Sequence, residues 1–97
     1  MDDKNLHPSH PSTSLQVVMV SPDSQEEFNG VKLLNLTTED GEMGVMPGHI
    51  PMIVMLIKSQ IVMSLNNLVE IFEIEEGFAE ISTDQVTIIV EKVLRVS

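Results

Sequence analysis

Residues 61–74 of this 97-residue chain, IVMSLNNLVEIFEI, have the clearest secondary-structure pattern in the sequence. Two runs rich in β-branched and other apolar residues, 61–65 and 68–74, flank the pair Asn66-Asn67. Branched side chains suit a pleated sheet better than a helix. Asparagine is favoured in tight turns because it tolerates unusual backbone angles there. The stretch therefore predicts two strands joined by a short turn.

The same pattern continues outward in both directions, as short apolar runs separated by turn residues. The further strand-like segments are residues 15–20, 31–36, 45–46, 52–57, 78–81 and 86–90. Eight such segments, with turns roughly every 8–12 residues, indicate a single all-β domain, a sandwich or a barrel. No stretch of twelve residues keeps a helical apolar stripe free of glycine, proline or turn pairs. Only residues 24–28 could instead form one helical turn, because their sequence resembles a capping box.

Composition and charge exclude several classes of function. The chain has 15 acidic and 5 basic residues, a net charge of −10, and 42% hydrophobic residues. Such a charge repels nucleic acid and anionic lipid, and the apolar content is too high for a disordered acidic chain. The longest apolar run, residues 50–57, is too short to span a membrane, which takes about 20 residues. We expect a soluble protein that has no export signal and, because cysteine is absent, no disulfide.

The first residues differ in composition from the rest of the chain. Residues 1–13 contain Pro8, Pro11, His7 and His10, with few apolar side chains. We expect a flexible, solvated tail there, followed by one domain over residues 14–97. Two histidines in a proline-broken stretch make a weak metal site without further ligands, so we expect no metal.

Acidic residues are concentrated in two places. Four glutamates lie on one late strand and at its end, where a solvated sheet face is the simplest interpretation: Glu70, Glu73, Glu75 and Glu76. Glu39, Asp40 and Glu42 flank a glycine in what reads as one loop before a proline-glycine turn. Because loops on rigid sandwiches often carry function, this loop is a candidate docking tip.

The residues offer little for catalysis and more for binding. His49 is the only histidine in the body of the domain, and no glycine pattern matches a phosphate or dinucleotide loop, so we expect neither catalysis nor a cofactor. Pro47, Gly48 and Pro51 indicate a stiff corner that presents His49. Methionines in strand-like segments either fill the core or form an adaptable contact surface: Met43, Met46, Met52, Met55 and Met63.

Residues 41–51, GEMGVMPGHIP, closely resemble the signature of the epsilon subunit of F-type ATP synthases. Residues 18–23, 77–81 and 86–90 resemble the opening strand and the last two strands of that family's amino-terminal domain. The resemblance implies a ten-stranded type of β-sandwich at the foot of the rotating central stalk. It also implies a non-catalytic subunit that links the gamma subunit to the c ring and couples proton or sodium flow to ATP synthesis or hydrolysis.

The resemblance also implies roles for individual residues. Ser21 and His49 resemble positions that face gamma, and Glu42 with its loop (Glu39 and Asp40) resembles the tip that meets the c ring. By the same resemblance, the chain would be peripheral to the membrane that holds the synthase. The lack of a transit-like segment favours the cytoplasmic face of a bacterial inner membrane over a thylakoid. Family members usually continue into a helical hairpin at the point where this chain reaches residues 93–97, which leaves a naturally short form and a truncated chain both open.

Two local departures from the family pattern concern turns. Residues 58–60 lack a glycine that the family often has, and Glu76 replaces the first glycine of a common pair. Two functional alternatives also stay open. One is a free-standing sandwich adaptor outside the synthase, which genes neighbouring this one would distinguish. The other is a hydrolase with an acidic site, which turnover of an ester or a bound divalent ion would reveal.

Overall fold

A computed structural model of the chain describes residues 13–97, and the predicted tail lies outside this range except for Thr13. Its elements are ten strands: β1 (Leu15–Ser21), β2 (Ser24–Val31), β3 (Leu33–Thr38), β4 (Gly41–Val45), β5 (Met52–Leu56), β6 (Ser59–Ser64), β7 (Val69–Ile74), β8 (Gly77–Ile81), β9 (Gln85–Val90) and β10 (Val93–Arg95). His7 and His10, the weak candidate for a metal site, also lie outside the described residues.

The strands form two five-stranded sheets. Sheet A has the order β2-β1-β9-β8-β5, and sheet B has the order β10-β7-β6-β3-β4. Neighbouring strands are antiparallel except β1 and β9, which run parallel with Gln16 opposite Gln85. The two sheets pack face to face, which confirms the predicted all-β sandwich.

The core lies between the sheets and is entirely apolar among the described residues. Along most strands buried and exposed residues alternate, as in β9 with Val86, Ile88 and Val90 buried, because successive side chains point to opposite faces of a strand. Phe28 of sheet A meets Phe72 of sheet B edge to face, with ring centroids 5.4 Å apart. This geometry is one that aromatic pairs prefer.

Arg95 closes the sandwich along the side formed by β2 and β10. Its guanidinium donates a hydrogen bond to Glu70 of β7 and lies 3.6 Å from the Glu26 carboxylate of β2. It also covers the ring of Phe72, with the guanidinium carbon 4.8 Å from the ring centroid. The hydrogen bond to Glu70 is the main cause that raises the pKa of Arg95, so this group stays charged. One side chain thus contacts both sheets and shields the edge of the core.

The turns between strands alternate between the two ends of the sandwich. At one end lie the turns that follow β1, β3, β5, β7 and β9. Their charged residues are six carboxylates and two lysines: Asp23, Glu39, Asp40, Glu75, Glu76, Glu91, Lys58 and Lys92. We call this the acidic end. The opposite end, the corner end, has Lys32 and Asp84 as the charged residues of its turns.

Local differences from the sequence prediction have physical causes. Residues 24–28 are not a helical turn but the first half of β2, since pairing with β1 satisfies their backbone. Strand β10, which had not been predicted, pairs with the end of β7. The strand predicted at 31–36 is divided at Lys32, so that Val31 ends β2. Near Val31, Gly30 has a φ of 76°, and the register between β1 and β2 shifts there as a bulge requires.

The two turns that depart from the family pattern do not need glycine. No residue other than glycine has a positive φ among residues 13–97. In the turn from β5 to β6, the Ser59 hydroxyl donates a 2.7 Å hydrogen bond to the carbonyl of Ile57. Residues Glu75 and Glu76 form the other turn with ordinary backbone angles.

Candidate partner-binding surfaces

The corner between β4 and β5 is built on a tight turn. The His49 N–H donates a 3.1 Å hydrogen bond to the Met46 carbonyl, which closes a four-residue turn with Pro47 and Gly48 in the middle. Gly48 has a φ of 93°, and proline followed by a left-handed glycine is the pattern of a type II turn. The Gly48 N–H then donates a 2.6 Å hydrogen bond to the carbonyl oxygen of Thr83, in the turn between β8 and β9 of sheet A. Pro51 follows this turn, one residue before β5 begins.

His49 is half-buried within this corner, next to an exposed apolar residue. Its Nδ1 atom lies 2.8 Å from the carbonyl oxygen of Ile50, and this hydrogen bond holds the ring against the backbone of the next residue. The Ile50 side chain is 71% exposed. A histidine held in this way, beside an apolar side chain in solvent, is available for contact with a partner.

The acidic turn between β3 and β4 is held by Thr38. Its hydroxyl accepts a 3.1 Å hydrogen bond from the Asp40 N–H and donates one of 3.1 Å to the Gly41 carbonyl. Glu39 and Asp40 occupy the exposed tip. Glu42 differs from the expectation of a loop residue, because it lies in β4 opposite Thr37. The three carboxylates therefore project from a rigid hairpin rather than from a mobile loop.

These carboxylates border a groove of about 610 Å³ between the acidic turn and β5. Its other wall is apolar and consists of Met52, Ile53, Val54 and Met55 of β5, with Met43 of β4 at the base. The groove therefore joins negative charge to exposed apolar surface along one side of the sandwich.

Ser21 belongs to a different part of the acidic end. Its hydroxyl lies 3.0 Å from that of Ser24, across the turn between β1 and β2. Both line an open groove of about 780 Å³ with residues of the turns after β5, β7 and β9. Of the four late glutamates, Glu73, Glu75 and Glu76 are exposed as expected, whereas the half-buried Glu70 binds Arg95.

Ser21 and His49 lie at opposite ends of sheet A. Ser21 ends β1, whereas the His49 corner is hydrogen-bonded to Thr83, two residues before β9 begins beside Gln16. Along β1 the two ends are about 17 Å apart, at about 3.3 Å per residue. Only a partner that extends along the sheet would meet both residues.

A row of apolar side chains crosses the outer face of sheet A at the end where Ser21 lies. Met55 lies opposite Phe78, Phe78 opposite Ile89, and Ile89 opposite Val20 in successive strand pairs. Met55 is 69% exposed, and Phe78 and Ile89 are 38% and 37% exposed. Sequence reasoning missed this row. The signal was present, because residues 86–90 and 52–57 place apolar side chains on both faces of a strand, which is typical of two covered faces.

The methionines divide between the two roles that the sequence left open. Met63 lies in the core and Met43 packs against it. The interpretation as core filler is wrong for Met46, Met52 and Met55, which are all exposed. They are part of the apolar surface around β5.

Within residues 13–97, no three histidine or carboxylate side chains come close enough to hold a metal ion. That same part of the chain has no helix that could cross a membrane. What it contains is a rigid sandwich with an acidic hairpin, a fixed corner and an apolar sheet face.

Residues 14–96 match the family model of the β-sandwich domain of the ATP synthase delta/epsilon chain. The chain belongs to this family. Its relatives include the ATP synthase epsilon chain of Halalkalibacterium halodurans, 32% identical over 78 residues, and that of Lawsonia intracellularis, 33% identical over 78 residues. In both cases the match covers 80% of this chain and 59% of the relative. The epsilon-type chain described here thus spans about three fifths of the length of these relatives.

Solved structures share the epsilon-type fold. One is the Euglena gracilis mitochondrial ATP synthase (OSCP/F1/c-ring, rotational state 1), with a TM-score of 0.83 and 18% identity over 98% of this chain and 61% of the other. Another is the central stalk and c ring of the Tetrahymena thermophila mitochondrial ATP synthase, with a TM-score of 0.71 and 12% identity over 88% of this chain and 69% of the other. At such identities the likeness establishes the fold alone.

Proposed function

We propose that this chain is a non-catalytic central-stalk subunit of an F-type ATP synthase, which links gamma to the c ring. In that role it transmits rotation and couples ion flow to ATP synthesis or hydrolysis. The observation that carries the proposal is that the sandwich presents two surfaces of different character, in a chain of the delta/epsilon family: an acidic hairpin on sheet B and an apolar outer face on sheet A, which adjoin at β5. Two distinct surfaces are what a linker between two partners requires. As part of the synthase, the chain would be peripheral, at the cytoplasmic face of a bacterial inner membrane.

The gamma subunit would lie along the outer face of sheet A. The apolar row from Met55 to Val20 crosses four strands of this face at the end where β1 reaches Ser21, and the His49 corner lies at the other end of the sheet. Exposed apolar surface of this kind, bordered by polar residues, is typical of a protein interface. An interface along the whole sheet explains how two residues at opposite ends could meet one partner.

The c ring would be met by the acidic hairpin. Glu39, Asp40 and Glu42 project together, and the Thr38 hydrogen bonds hold the tip. Carboxylates opposite basic loops would give orientation and fast association more than raw affinity. The remaining carboxylates of the acidic end add to the same negative field.

Co-purification with the cognate gamma subunit, followed by size-exclusion chromatography, tests the proposal. We expect a stoichiometric complex, and we expect it to weaken when Ser21→Ala and His49→Ala are combined. Ser64→Ala, on the outer face of sheet B, is the matched control and should bind as the parent does. Failure of a chain that circular dichroism shows to be folded to bind gamma would refute the stalk role and favour the free-standing adaptor.

A further inference from the structure

Three exposed methionines lie along the β5 edge of the sandwich, with Met55 on the outer face of sheet A and Met52 on the side facing the groove beside the acidic hairpin. Met46 precedes the corner turn, Met52 begins β5, and Met55 lies near the end of the same strand. Their side chains are 59%, 38% and 69% exposed, respectively. We call these three residues the methionine edge. Met19 and Met63, at 2% and 0% exposure, are buried in the core and provide an internal comparison.

The methionine edge coincides with the surfaces proposed for partners. Met55 begins the apolar row on sheet A, directly opposite Phe78. Met52 and Met55 also line the groove beside the acidic hairpin. The Met46 carbonyl accepts the hydrogen bond that closes the corner before His49. A change in the polarity of these side chains would therefore act at the interface and not in the core.

Thioethers in solvent are open to one defined modification. A hydroperoxide transfers one oxygen atom to the sulfur. The S–O bond forms as the O–O bond breaks, and the sulfur loses two electrons. The rest of the oxidant is released as an alcohol, or as water when the oxidant is hydrogen peroxide. The product, methionine sulfoxide, is polar, and methionine sulfoxide reductases restore the thioether. The chain has no cysteine that would react with the oxidant first.

We propose that the methionine edge is a reversible oxidation site that controls docking of the sandwich to the gamma subunit. Oxidation of Met55, Met52 and Met46 by hydroperoxides leaves the fold intact, because none of the three belongs to the core cluster. It weakens docking, because a sulfoxide enclosed in an apolar interface loses its hydrogen bonds to water. This inference rests on the proposed function, since Met55 lies on the sheet face proposed for gamma and the other two methionines border it.

Oxidation rates test the site itself. The full chain is exposed to hydrogen peroxide, and each methionine is followed by mass spectrometry of its own peptide. We expect Met55 and Met46 to oxidise first and Met52 next, with Met19 and Met63 protected until the protein unfolds. In the complex with gamma, Met55 should become protected. Equal rates at buried and exposed positions, or no protection of Met55 by gamma, would contradict the proposal.

Binding measurements test whether oxidation controls docking to gamma. The oxidised chain should bind gamma about tenfold or more weakly than the reduced chain, the scale expected for one buried polar group without a partner, and reductase treatment should restore binding. The triple variant M46L/M52L/M55L is compared with itself before and after peroxide, and its affinity should not change. Met55→Gln should imitate the oxidised state.

The outcomes separate this inference from the proposed function. If the reduced chain binds gamma and the oxidised chain binds it equally well, only the oxidation site is refuted. If the triple variant loses binding on oxidation as much as the parent does, oxidation of other residues weakens the complex, and the proposed role of the methionine edge is again refuted. If the reduced, folded chain does not bind gamma at all, the stalk role itself fails, and control of gamma docking fails with it.

Discussion

The backbone N–H of Gly48 donates a 2.6 Å hydrogen bond to the carbonyl oxygen of Thr83. This bond joins the corner that bears His49 to the turn between β8 and β9. The corner is therefore attached to sheet A at a second point besides the pairing of β5, and His49 keeps a fixed position relative to the face proposed for gamma.

Gly48→Ala should disturb the corner selectively. The φ of 93° is one that L-residues rarely adopt, so we expect a loss of about 1–2 kcal/mol in the free energy of unfolding. Urea denaturation measures the loss. Gly44→Ala is the matched control: its φ is not positive, its new Cβ would approach the movable Leu33 Cδ1 at 3.3 Å, and its effect should stay within about 0.5 kcal/mol. Equal losses in the two variants would contradict the assignment of strain to Gly48.

Gly77→Ala should be far more damaging, for a steric reason. A Cβ at Gly77 would overlap the backbone carbonyl of Ile89 and lie 2.8 Å from Val90 Cγ1. Because β8 and β9 cannot separate without breaking sheet A, we expect a loss of about 3 kcal/mol or more. Thermal unfolding followed by circular dichroism measures it. A variant with the parent's melting temperature would show that the sheet yields more easily than this packing implies.

Glu42→Lys should impair coupling to the c ring without unfolding the domain. The side chain is exposed on β4, so reversal of its charge should change stability by less than about 0.5 kcal/mol. ATP-driven ion pumping in reconstituted vesicles is the measurement, and we expect it to fall.

Glu73→Lys is the control for this prediction. It makes the same change of charge at an exposed residue of β7 in sheet B, and pumping should be kept. Unaltered pumping in the Glu42 variant would contradict the assignment of the acidic hairpin to the c-ring interface.

Arg95→Met should loosen the side of the sandwich between β2 and β10. The variant keeps an apolar stem over Phe72 but loses the bonds to Glu70 and Glu26, which leaves the half-buried Glu70 without its cation. We expect a lower midpoint in urea. Lys92→Met, which removes an exposed cation from the turn before β10, should leave the midpoint almost unchanged. Identical urea midpoints for the two variants would show that Arg95 stabilises the fold no more than an exposed lysine does.

The architecture could be predicted because its signals are local. The turn residues and the branched apolar runs indicated a sandwich, and the signature at residues 41–51 indicated the family, which the match over residues 14–96 confirms. Strand β2 was harder to predict, because Ser24 and Glu27 by themselves resemble a helix start. Only its partner β1, which is not visible in a local pattern, makes that segment extended.

The surfaces were less predictable than the fold. The pattern identified Pro47 and Gly48 as a corner but gave no sign that Thr83 fixes it, since the two are distant in sequence. The exposure of Met55 depends on β5 being an edge strand, which follows from the order of strands in sheet A and not from the residues around Met55. The roles of Ser21, His49 and Glu42 remain predictions.

The parallel pairing of β1 with β9 affects how the chain folds. Strand β1 is the first strand of this sandwich, yet one of its two neighbours in sheet A, β9, is the last but one. Each sheet contains two hairpins of consecutive strands, but only sheet A joins its two hairpins through strands as far apart in sequence as β1 and β9. Since contacts between distant segments form slowly, completion of sheet A is expected to limit the folding rate, and the face proposed for gamma would be the last surface to form.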